Sequence, residues 1–317
     1  MFSLIENSFR IRNSTSIVNK SIFLRVFAIF VLIPFITFTS LDVAISHRYW
    51  GAINIQLPPI NSFTPNNSCQ SFNSLVPCVY KEGTVPGGIK NILIGDSHAD
   101  SLSTVFAEVA TAKSESFAVW TKGNCPFILR ETIKDSKYKE IFAALSTVSS
   151  EVSCLQHNQE ILDYARSNSP IRVYLANRNT QGYRTTFSWN ISSDSLRNLI
   201  EVNLRILAGA SFRVIYIGPV PEKVYGDVPA HRLLWQLHQG ATPNFKILDL
   251  PSGPFDDNRF FSKSLLMGNV TYINTISVFC SGIICTLGKD NQYYSDSHHL
   301  NLMGSQKLRA ALEAVSH

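Results

Sequence analysis

The sequence predicts an α/β protein whose mostly parallel sheet is covered by helices on both faces. Within residues 89–317, short apolar and β-branched runs alternate with longer runs in which apolar residues recur at helical spacing. The short runs are typical of strands buried inside a parallel sheet, and their alternation with amphipathic helices indicates repeated strand–helix–strand units. We predict strands at Asn91–Ile94, Phe117–Trp120, Ile171–Ala176, Arg213–Ile217 and Val270–Ile273.

Four helices are predicted between and after these strands. The last of them has an apolar face that includes Leu308 and Leu312. Residues 221–268 follow no single period, so we predict a mixture of helix and loop there. The predicted helices are Asp100–Lys113, Glu151–Ser167, Ser195–Leu207 and Leu302–Val315.

The residues that precede this domain predict a membrane anchor. Ile22–Leu41 spans 20 residues with Arg25 as its only charge, and the long Arg25 side chain can reach the lipid headgroups. Further basic residues precede the segment, which predicts a cytoplasmic N-terminus and an extracytoplasmic remainder. A cleaved signal peptide is the alternative, because Ala44–Ser46 offers small residues at a cleavage-like position. The predicted organisation is a cytoplasmic N-terminus (1–20), a transmembrane anchor (21–42), a linker rich in Pro, Asn and Ser (43–88) and the α/β domain (89–317).

The distribution of charge argues against a nucleic-acid partner. The chain has 28 basic and 23 acidic residues, a formal net charge of +5. More than half of this excess lies in residues 1–48, so the remainder of the chain is close to neutral and has no basic run. A protein that binds the phosphate backbone needs a basic patch, and none is visible in the sequence.

The six cysteines predict disulfides and therefore an oxidising compartment. Their number is even, and two pairs are close in sequence. No Cys-x-x-Cys pair occurs, and the close pairs lack histidines at ligand spacing, so we predict no metal site. The predicted pairs are Cys69–Cys78, Cys125–Cys154 and Cys280–Cys285.

Ser97 lies at the turn that follows the first predicted strand. Gly95 permits an abrupt turn, and Asp96 and Ser97 are residue types that cap helices. Ser97 is therefore expected at the carboxyl end of a strand and the positive end of a helix, where the negative charge that develops beside a nucleophile is stabilised. Most Gly-Asp-Ser sequences are ordinary turns, so this interpretation depends on a partner elsewhere in the chain.

A candidate partner is the sequence Asp296-x-x-His299, which precedes the last predicted helix. This spacing lets a carboxylate orient an imidazole, so that the second ring nitrogen can accept a proton from a serine. The adjacent His298 is the competing candidate for the base. Alone, an Asp-x-x-His sequence is more often a polar loop or a helix cap. In a doubly wound sheet, however, the loops that follow the strands meet at one edge.

Taken together, Gly95-Asp96-Ser97-His98 and Asp296-x-x-His299-Leu300, followed by Gly304, resemble the SGNH hydrolase fold, a flavodoxin-like three-layer architecture. The chain most resembles the SGNH domain at the C-terminus of acyltransferase-3 proteins, which O-acetylate cell-envelope glycans. The resemblance covers roughly residues 89–317, and the predicted anchor resembles the last membrane helix of the acyltransferase-3 module. Supporting segments are Val173–Arg178, Ile217–Glu222 and Tyr272–Cys285.

The resemblance implies a role for each residue of the candidate site. Ser97 would be the nucleophile, His299 the general base and Asp296 the acid that orients it. The oxyanion would be held by the Ser97 amide, Gly123 and Asn177. Both Gly123 and Asn177 depart from the usual motifs of the fold, and the alternative is that Asn177 and Asn179 cap a helix or bind loop backbone.

Other side chains are assigned less specific roles. His98 is expected to shape the pocket and not to act as a base. Four aromatic residues could stack on sugar rings, although aromatic side chains of this kind more often fill the core. They are Trp120, Tyr183, Trp189 and Trp235.

These roles imply O-acyl transfer, with acetyl as the expected acyl group, to hydroxyl groups of a cell-envelope polysaccharide such as lipopolysaccharide, peptidoglycan or an exopolysaccharide. A glycan O-acetyl esterase that uses the same triad is the first alternative, and a non-catalytic glycan-binding module is the second. The expected partners are the polysaccharide acceptor and a separate membrane acyltransferase module that supplies the acyl group. No cofactor is predicted, because no phosphate-binding loop is visible in the sequence.

Overall fold

The computed structural model of the chain describes residues 76–81, 89–147, 153–168, 171–211, 213–222, 244–246, 250, 252–265, 269–286, 293–294 and 298–315. The predicted anchor, most of the predicted linker, Cys69, Trp235 and Asp296 lie outside these ranges. Of the helices within them, none has the length and apolar character that a membrane span requires.

Within these described ranges, nine strands form two sheets. They are β1 (Cys78–Lys81), β2 (Asn91–Gly95), β3 (Phe117–Thr121), β4 (Arg172–Ala176), β5 (Arg213–Ile217), β6 (Asn244–Lys246), β7 (Val270–Ile273), β8 (Cys280–Ser281) and β9 (Ile284–Thr286). The central sheet has the order β1-β3-β2-β4-β5-β7, and only β1 runs antiparallel to its neighbour. The five parallel strands follow the flavodoxin-like order, in which the strand order reverses between β2 and β4. The predicted fold class is thereby confirmed.

Helices cover both faces of the central sheet. In β2, Ile92 and Ile94 join the core on one face, and Leu93 joins the core on the other. This alternation follows from the period of two in a strand, and it makes the fold three-layered. The α-helices are α1 (Ser97–Asp100), α2 (Ser103–Ala112), α3 (Lys139–Ser146), α4 (Cys154–Ser167), α5 (Thr180–Phe187), α6 (Ser193–Ala210), α7 (Ser252–Ser264), α8 (Ile276–Phe279), α9 (Leu302–Gln306) and α10 (Arg309–Val315).

The five predicted strands are present, each within one residue of its predicted bounds. The predicted helix Asp100–Lys113 corresponds to α2, which begins three residues later, and a separate helix of one turn, α1, precedes it. Asp96 caps α1, which ends where the Ser101 amide donates hydrogen bonds to the carbonyls of Ser97 and Ala99. The predicted helix Leu302–Val315 is interrupted, and α9 and α10 are separate helices. In the undecided stretch 221–268, the structure places β6 and α7.

Two of the predicted disulfides are confirmed, Cys125–Cys154 and Cys280–Cys285. The first joins the loop after β3 to the start of α4. The second joins β8 to β9, at a position where the two residues are paired across the strands. Cys78 is also disulfide-bonded. Its predicted partner, Cys69, lies outside the described residues, so that pairing stays a prediction.

A buried histidine on α4 makes stability depend on pH. His157 packs edge-on against Trp120, and neither of its ring nitrogens has a hydrogen-bond partner among the described residues. Burial, helped by the nearby charge of Lys122, lowers the pKa of His157 to about 4. The unfolded chain therefore binds a proton between pH 6.5 and 4 that the folded chain does not, and stability falls as the pH falls through that range.

We expect the free energy of unfolding of the wild type to drop by about 2 kcal/mol more than that of His157→Phe between pH 7.5 and pH 5. Other buried groups also make stability depend on pH. The pKa values of Asp96 and Asp257 are raised by burial, so these two groups increase stability as the pH falls. They are present in both proteins, so the comparison with the variant cancels their contribution. Urea denaturation at the two pH values measures this difference. Equal pH dependence of the two proteins would show that His157 remains able to ionise in the folded state.

Candidate active site

The register of the central sheet brings four loops to one level. Gly95 at the end of β2 pairs with Thr121 of β3 on one side and with Ala176 of β4 on the other, and Ala176 pairs with Ile217 of β5. The residues that follow these strand ends therefore leave the sheet side by side. This is the edge, outside the carboxyl ends of the strands at the point where the strand order reverses, at which such folds bind ligands.

The turn that carries Ser97 requires glycine at Gly95. Its φ of +134° lies in the region that glycine favours, and a β-carbon there would lie 1.9 Å from the carbonyl oxygen of Ala176. Asp96 is extended and caps α1, which begins at Ser97. Because α1 is only four residues long, it offers a smaller dipole to Ser97 than a helix of the predicted length, Asp100–Lys113, would have offered.

His299 lies on a loop that is held at both ends. On one side, buried Tyr294 bridges to Leu300 and its hydroxyl donates a hydrogen bond to the Pro221 carbonyl. On the other side, Asn301 caps α9 by accepting a hydrogen bond from the Gly304 amide at 3.0 Å. A β-carbon on Gly304 would lie 2.1 Å from the Tyr293 carbonyl oxygen, which explains the glycine at this position.

The structure brings Ser97 and His299 together. The Nε2 atom of His299 lies 2.7 Å from the Oγ atom of Ser97, within hydrogen-bonding distance. A serine and an imidazole in this arrangement can share a proton, which is the geometry of an activated nucleophile. Asp296 lies outside the described residues, so its predicted role as the orienting acid stays a prediction.

Asp96 connects the Ser97 turn to the loop after β4. Its carboxylate is buried, with 1% exposure, and accepts hydrogen bonds from the His98 amide at 2.8 Å, the Arg178 amide at 3.0 Å and the Tyr183 hydroxyl. Burial raises the pKa of Asp96, and these three hydrogen bonds act against the increase because they stabilise the charged form. Asp96 thus fixes the position of Ser97 relative to β4.

A second connection joins the loops after β4 and β5. The guanidinium Nε of Arg178 lies 3.2 Å from the Oε1 atom of Glu222, and the side-chain Nδ2 of Asn179 also donates a hydrogen bond to this carboxylate. Burial raises the pKa of Glu222, and the charge and hydrogen bond of Arg178 act in the opposite direction. The segment after β5 that supported the family resemblance therefore holds the β4 loop in place.

Asn177 follows β4 directly and is almost completely buried, with 1% exposure. Neither its side-chain oxygen nor its side-chain nitrogen has a hydrogen-bond partner among the described residues. It lines a small cavity together with His98, Leu102, Val220 and Leu300. Of the two asparagines that the alternative made helix caps, Asn179 does cap a helix, α5, and Asn177 does not. A buried amide left unsatisfied next to a cavity is suited to bind a ligand oxygen there.

Gly123 lies in the loop after β3, and contacts with β2 and α4 hold that loop in place. The amide of Lys122 donates to the Gly95 carbonyl at 2.9 Å, and the Cys125–Cys154 disulfide joins the loop to α4. The buried Asn158 of α4 donates to the carbonyls of Pro126 and Ile128, both at 2.9 Å. The loop therefore has a fixed conformation at the edge of the sheet where Ser97 lies.

Removal of the Cys125–Cys154 bridge is expected to cost about 3–4 kcal/mol of stability, because the bridge closes a loop of 29 residues. Removal of Cys280–Cys285, five residues apart, is expected to cost about 2 kcal/mol. Double Cys→Ala variants of each pair, unfolded in urea, measure both values.

We also expect the variant without Cys125–Cys154 to lose activity at urea concentrations below its unfolding transition, and the variant without Cys280–Cys285 to retain it. An equal loss of activity in both would contradict a link between the first bridge and the site.

Of the two roles considered for the aromatic residues, core packing and not sugar stacking is observed for the three that the structure describes. Trp120, Tyr183 and Trp189 are all buried. Trp120 packs against His157 and Tyr164, Tyr183 hydrogen-bonds to Asp96, and Trp189 stacks on Phe187. Trp235 lies outside the described residues.

Tyr183 and Glu222 are the site residues whose roles the sequence did not reveal. Each forms a hydrogen bond with a residue that is distant in sequence: Tyr183 donates to Asp96, and Glu222 accepts from Arg178. The one available signal was the position of Glu222, a carboxylate soon after a predicted strand. No pattern in the sequence pointed to the hydroxyl of Tyr183.

This order of strands, with a serine and a histidine in contact at the carboxyl edge, defines a protein of the SGNH hydrolase fold. The chain belongs to the family of SGNH domains that are fused to acyltransferase-3 (AT3) domains, and the family model matches residues 64–314. Membership of this family supports an enzyme that transfers or hydrolyses acyl groups. None of the curated proteins matches the chain at a significant level.

Two solved structures are similar to the chain. The periplasmic domain of a lipopolysaccharide acetyltransferase from Salmonella ser. Paratyphi A is 21% identical, with a TM-score of 0.53 over 71% of this chain and 83% of that one. An acetyl-xylooligosaccharide esterase from Geobacillus stearothermophilus is 10% identical, with a TM-score of 0.41 over 72% of this chain and 93% of that one. The first of these likenesses supports the fold assignment.

Proposed function

We propose that the chain transfers an acyl group, most simply acetyl, to hydroxyl groups of a cell-envelope polysaccharide by way of an acyl ester on Ser97. The observation that carries this proposal is the 2.7 Å contact between Ser97 Oγ and His299 Nε2 at the carboxyl edge of the sheet. Membership of the AT3-fused SGNH family supports transfer as the reaction. The periplasmic acetyltransferase domain of the same fold supports an extracytoplasmic location.

The reaction would proceed in two halves that use the same groups. Ser97 Oγ attacks the acyl carbonyl carbon while His299 takes its proton, and the C–O bond to the donor breaks as His299 gives that proton to the leaving oxygen. A polysaccharide hydroxyl then attacks the acyl-Ser97 ester and loses its proton to His299. The Ser97 oxygen leaves and recovers the proton, which returns the site to its starting state.

In each half a negative charge develops on the carbonyl oxygen of the acyl group. We assign its stabilisation to the side-chain amide of Asn177, together with the backbone amide of Ser97 and Gly123. The side chain of Asn177 has no other hydrogen-bond partner among the described residues. Asp296 is assigned to orient His299 and to stabilise the imidazolium that forms twice in the cycle. Asn177 also lines a small cavity at this edge of the sheet.

A glycan O-acetyl esterase is the second candidate function. The same residues would then pass the acyl group to water, and the two reactions differ only in the molecule that attacks acyl-Ser97. The family favours transfer, because AT3 domains are fused to this type of SGNH domain.

The two functions are distinguished by the fate of the acyl group. The full-length chain would be incubated with 4-nitrophenyl acetate, with and without an envelope oligosaccharide, and both free acetate and acetylated sugar would be measured by mass spectrometry. Transfer predicts acetylated sugar that increases with acceptor concentration while free acetate falls. Free acetate alone would identify an esterase, and release of neither product by a folded chain would favour a non-catalytic glycan-binding module.

A further inference from the structure

Three histidines meet beside Ser97. His98 belongs to α1, and His298 and His299 are consecutive residues of the loop before α9. The ring centroids are 5.1 Å apart for His98 and His299, 5.4 Å for His98 and His298, and 4.1 Å for His298 and His299. One ring nitrogen from each residue lies within 4.8 Å of those from the other two.

This set of donors matches one class of metal ion. Neutral imidazole nitrogen is a good ligand for Zn²⁺, Cu²⁺ and Ni²⁺, whereas Mg²⁺ and Ca²⁺ prefer oxygen. Three protein ligands with a fourth position open to solvent or substrate form a common arrangement for Zn²⁺. The sequence predicted no metal site because that expectation rested on the spacing of the cysteines, and none of these three ligands is a cysteine.

The geometry requires a small adjustment of the rings. Two nitrogen atoms that bind a tetrahedral Zn²⁺ at about 2.0–2.1 Å lie about 3.3 Å from each other. The ring nitrogens of the three histidines are up to 4.8 Å apart, so they would have to move closer together. His98 is buried and packed, so it forms the fixed part of the cluster. His298 and His299 are half-buried, and rotation of their rings can bring the nitrogens to this distance.

We propose that His98, His298 and His299 bind a divalent transition-metal ion, with Zn²⁺ as the best match, and that the bound ion inhibits the site. A neutral imidazole has one ring nitrogen with a free lone pair. If His299 gives that lone pair to the metal, it has none left to accept the Ser97 proton, whichever nitrogen is used. The inhibitory part rests on the proposed function of His299, whereas the binding of the metal does not.

Metal binding is tested first, without reference to activity. Zn²⁺ alone is titrated calorimetrically into the metal-free full-length chain, produced without a polyhistidine tag, and into His298→Gln and His157→Gln. His298 is half-buried, so its replacement is expected to leave the fold intact, and His157 is a histidine outside the cluster. We expect His298→Gln to bind Zn²⁺ at least about 100-fold more weakly than the wild type, and His157→Gln to bind it equally well.

Inhibition is tested on the same proteins with a fluorophosphonate probe that labels activated serines. In the wild type, Zn²⁺ is expected to slow labelling and a chelator to restore it, while His298→Gln needs about 100-fold more Zn²⁺ for the same effect.

Equal Zn²⁺ affinity in the wild type and His298→Gln would overturn the proposed metal site. Tight binding that leaves labelling unchanged would overturn the inhibition. Absence of labelling in the metal-free wild type would count against the proposed function, and the calorimetric result would still decide the metal site.

Discussion

Replacing Ser97 by alanine is expected to lower acyl transfer and fluorophosphonate labelling by at least about a thousandfold, with the fold intact. The reason is that Ser97 Oγ would form the acyl ester in the first half of the reaction and leave it in the second, whereas its one described side-chain contact is with His299 Nε2. His299→Ala is expected to cause a comparable loss. Labelling rates of the full-length variants measure this directly, and circular dichroism verifies that each variant is folded.

The double variant Ser97→Ala/His299→Ala gives the sharper result. When residues act as one unit, removal of one already abolishes the function of the other. The double variant should therefore lose about as much activity as either single variant, and no more. Ser103→Ala is the matched control, since Ser103 is a buried serine at the start of α2 whose hydroxyl has no hydrogen-bond partner among the described residues. A double variant whose loss equals the product of the single losses would mean that Ser97 and His299 act independently.

Asn177→Ala is expected to lower the transfer rate about 100- to 1000-fold without loss of stability. Its amide is buried and unsatisfied by any described residue, so removal of the amide breaks no hydrogen bond that stabilises the folded chain. Removal of an unsatisfied polar group can even raise stability. Steady-state kinetics and urea denaturation of the same preparation measure the two effects.

Asn203→Ala is the matched control, with the opposite pattern. Asn203 is equally buried, but it accepts a hydrogen bond from the Leu129 amide at 2.7 Å and donates one to the Leu199 carbonyl at 2.7 Å. Its loss should lower stability by about 1–3 kcal/mol and leave the activity of the folded fraction nearly unchanged. If Asn177→Ala instead lost stability and kept its activity, Asn177 would have a structural role and not a catalytic one.

The sequence revealed the strands well because each is a buried parallel strand, and such strands are nearly continuous apolar runs. It did not reveal β1, an antiparallel edge strand in a stretch rich in polar residues, because an edge strand needs no such run. Nor did it reveal α5, whose residues include Gly182 and three threonines and which is capped by Asn179. Such a helix is formed by its cap and its packing, since its intrinsic propensity is low.

For the site, the order of motifs along the chain was enough to propose that Ser97 and His299 meet, because the fold brings the loops after parallel strands to one edge. The contacts that hold these loops in place were not visible. Tyr183 reaches Asp96 across 87 residues of sequence, and Arg178 reaches Glu222 across 44. Contacts of this kind follow from the packed arrangement of neighbouring loops, and no local pattern encodes them.

The separation of Ser97 and His299 by 202 residues has a consequence for the order of events during synthesis. At about 5–20 residues per second, roughly 10–40 s pass on the ribosome between the two residues. During that interval Ser97 lacks the base that we propose for it, and an unpaired serine is an ordinary hydroxyl. The proposed Ser97–His299 pair forms only when the loop before α9 docks against the edge formed by β2 and β4, so the proposed acyl transfer has to wait for that late step.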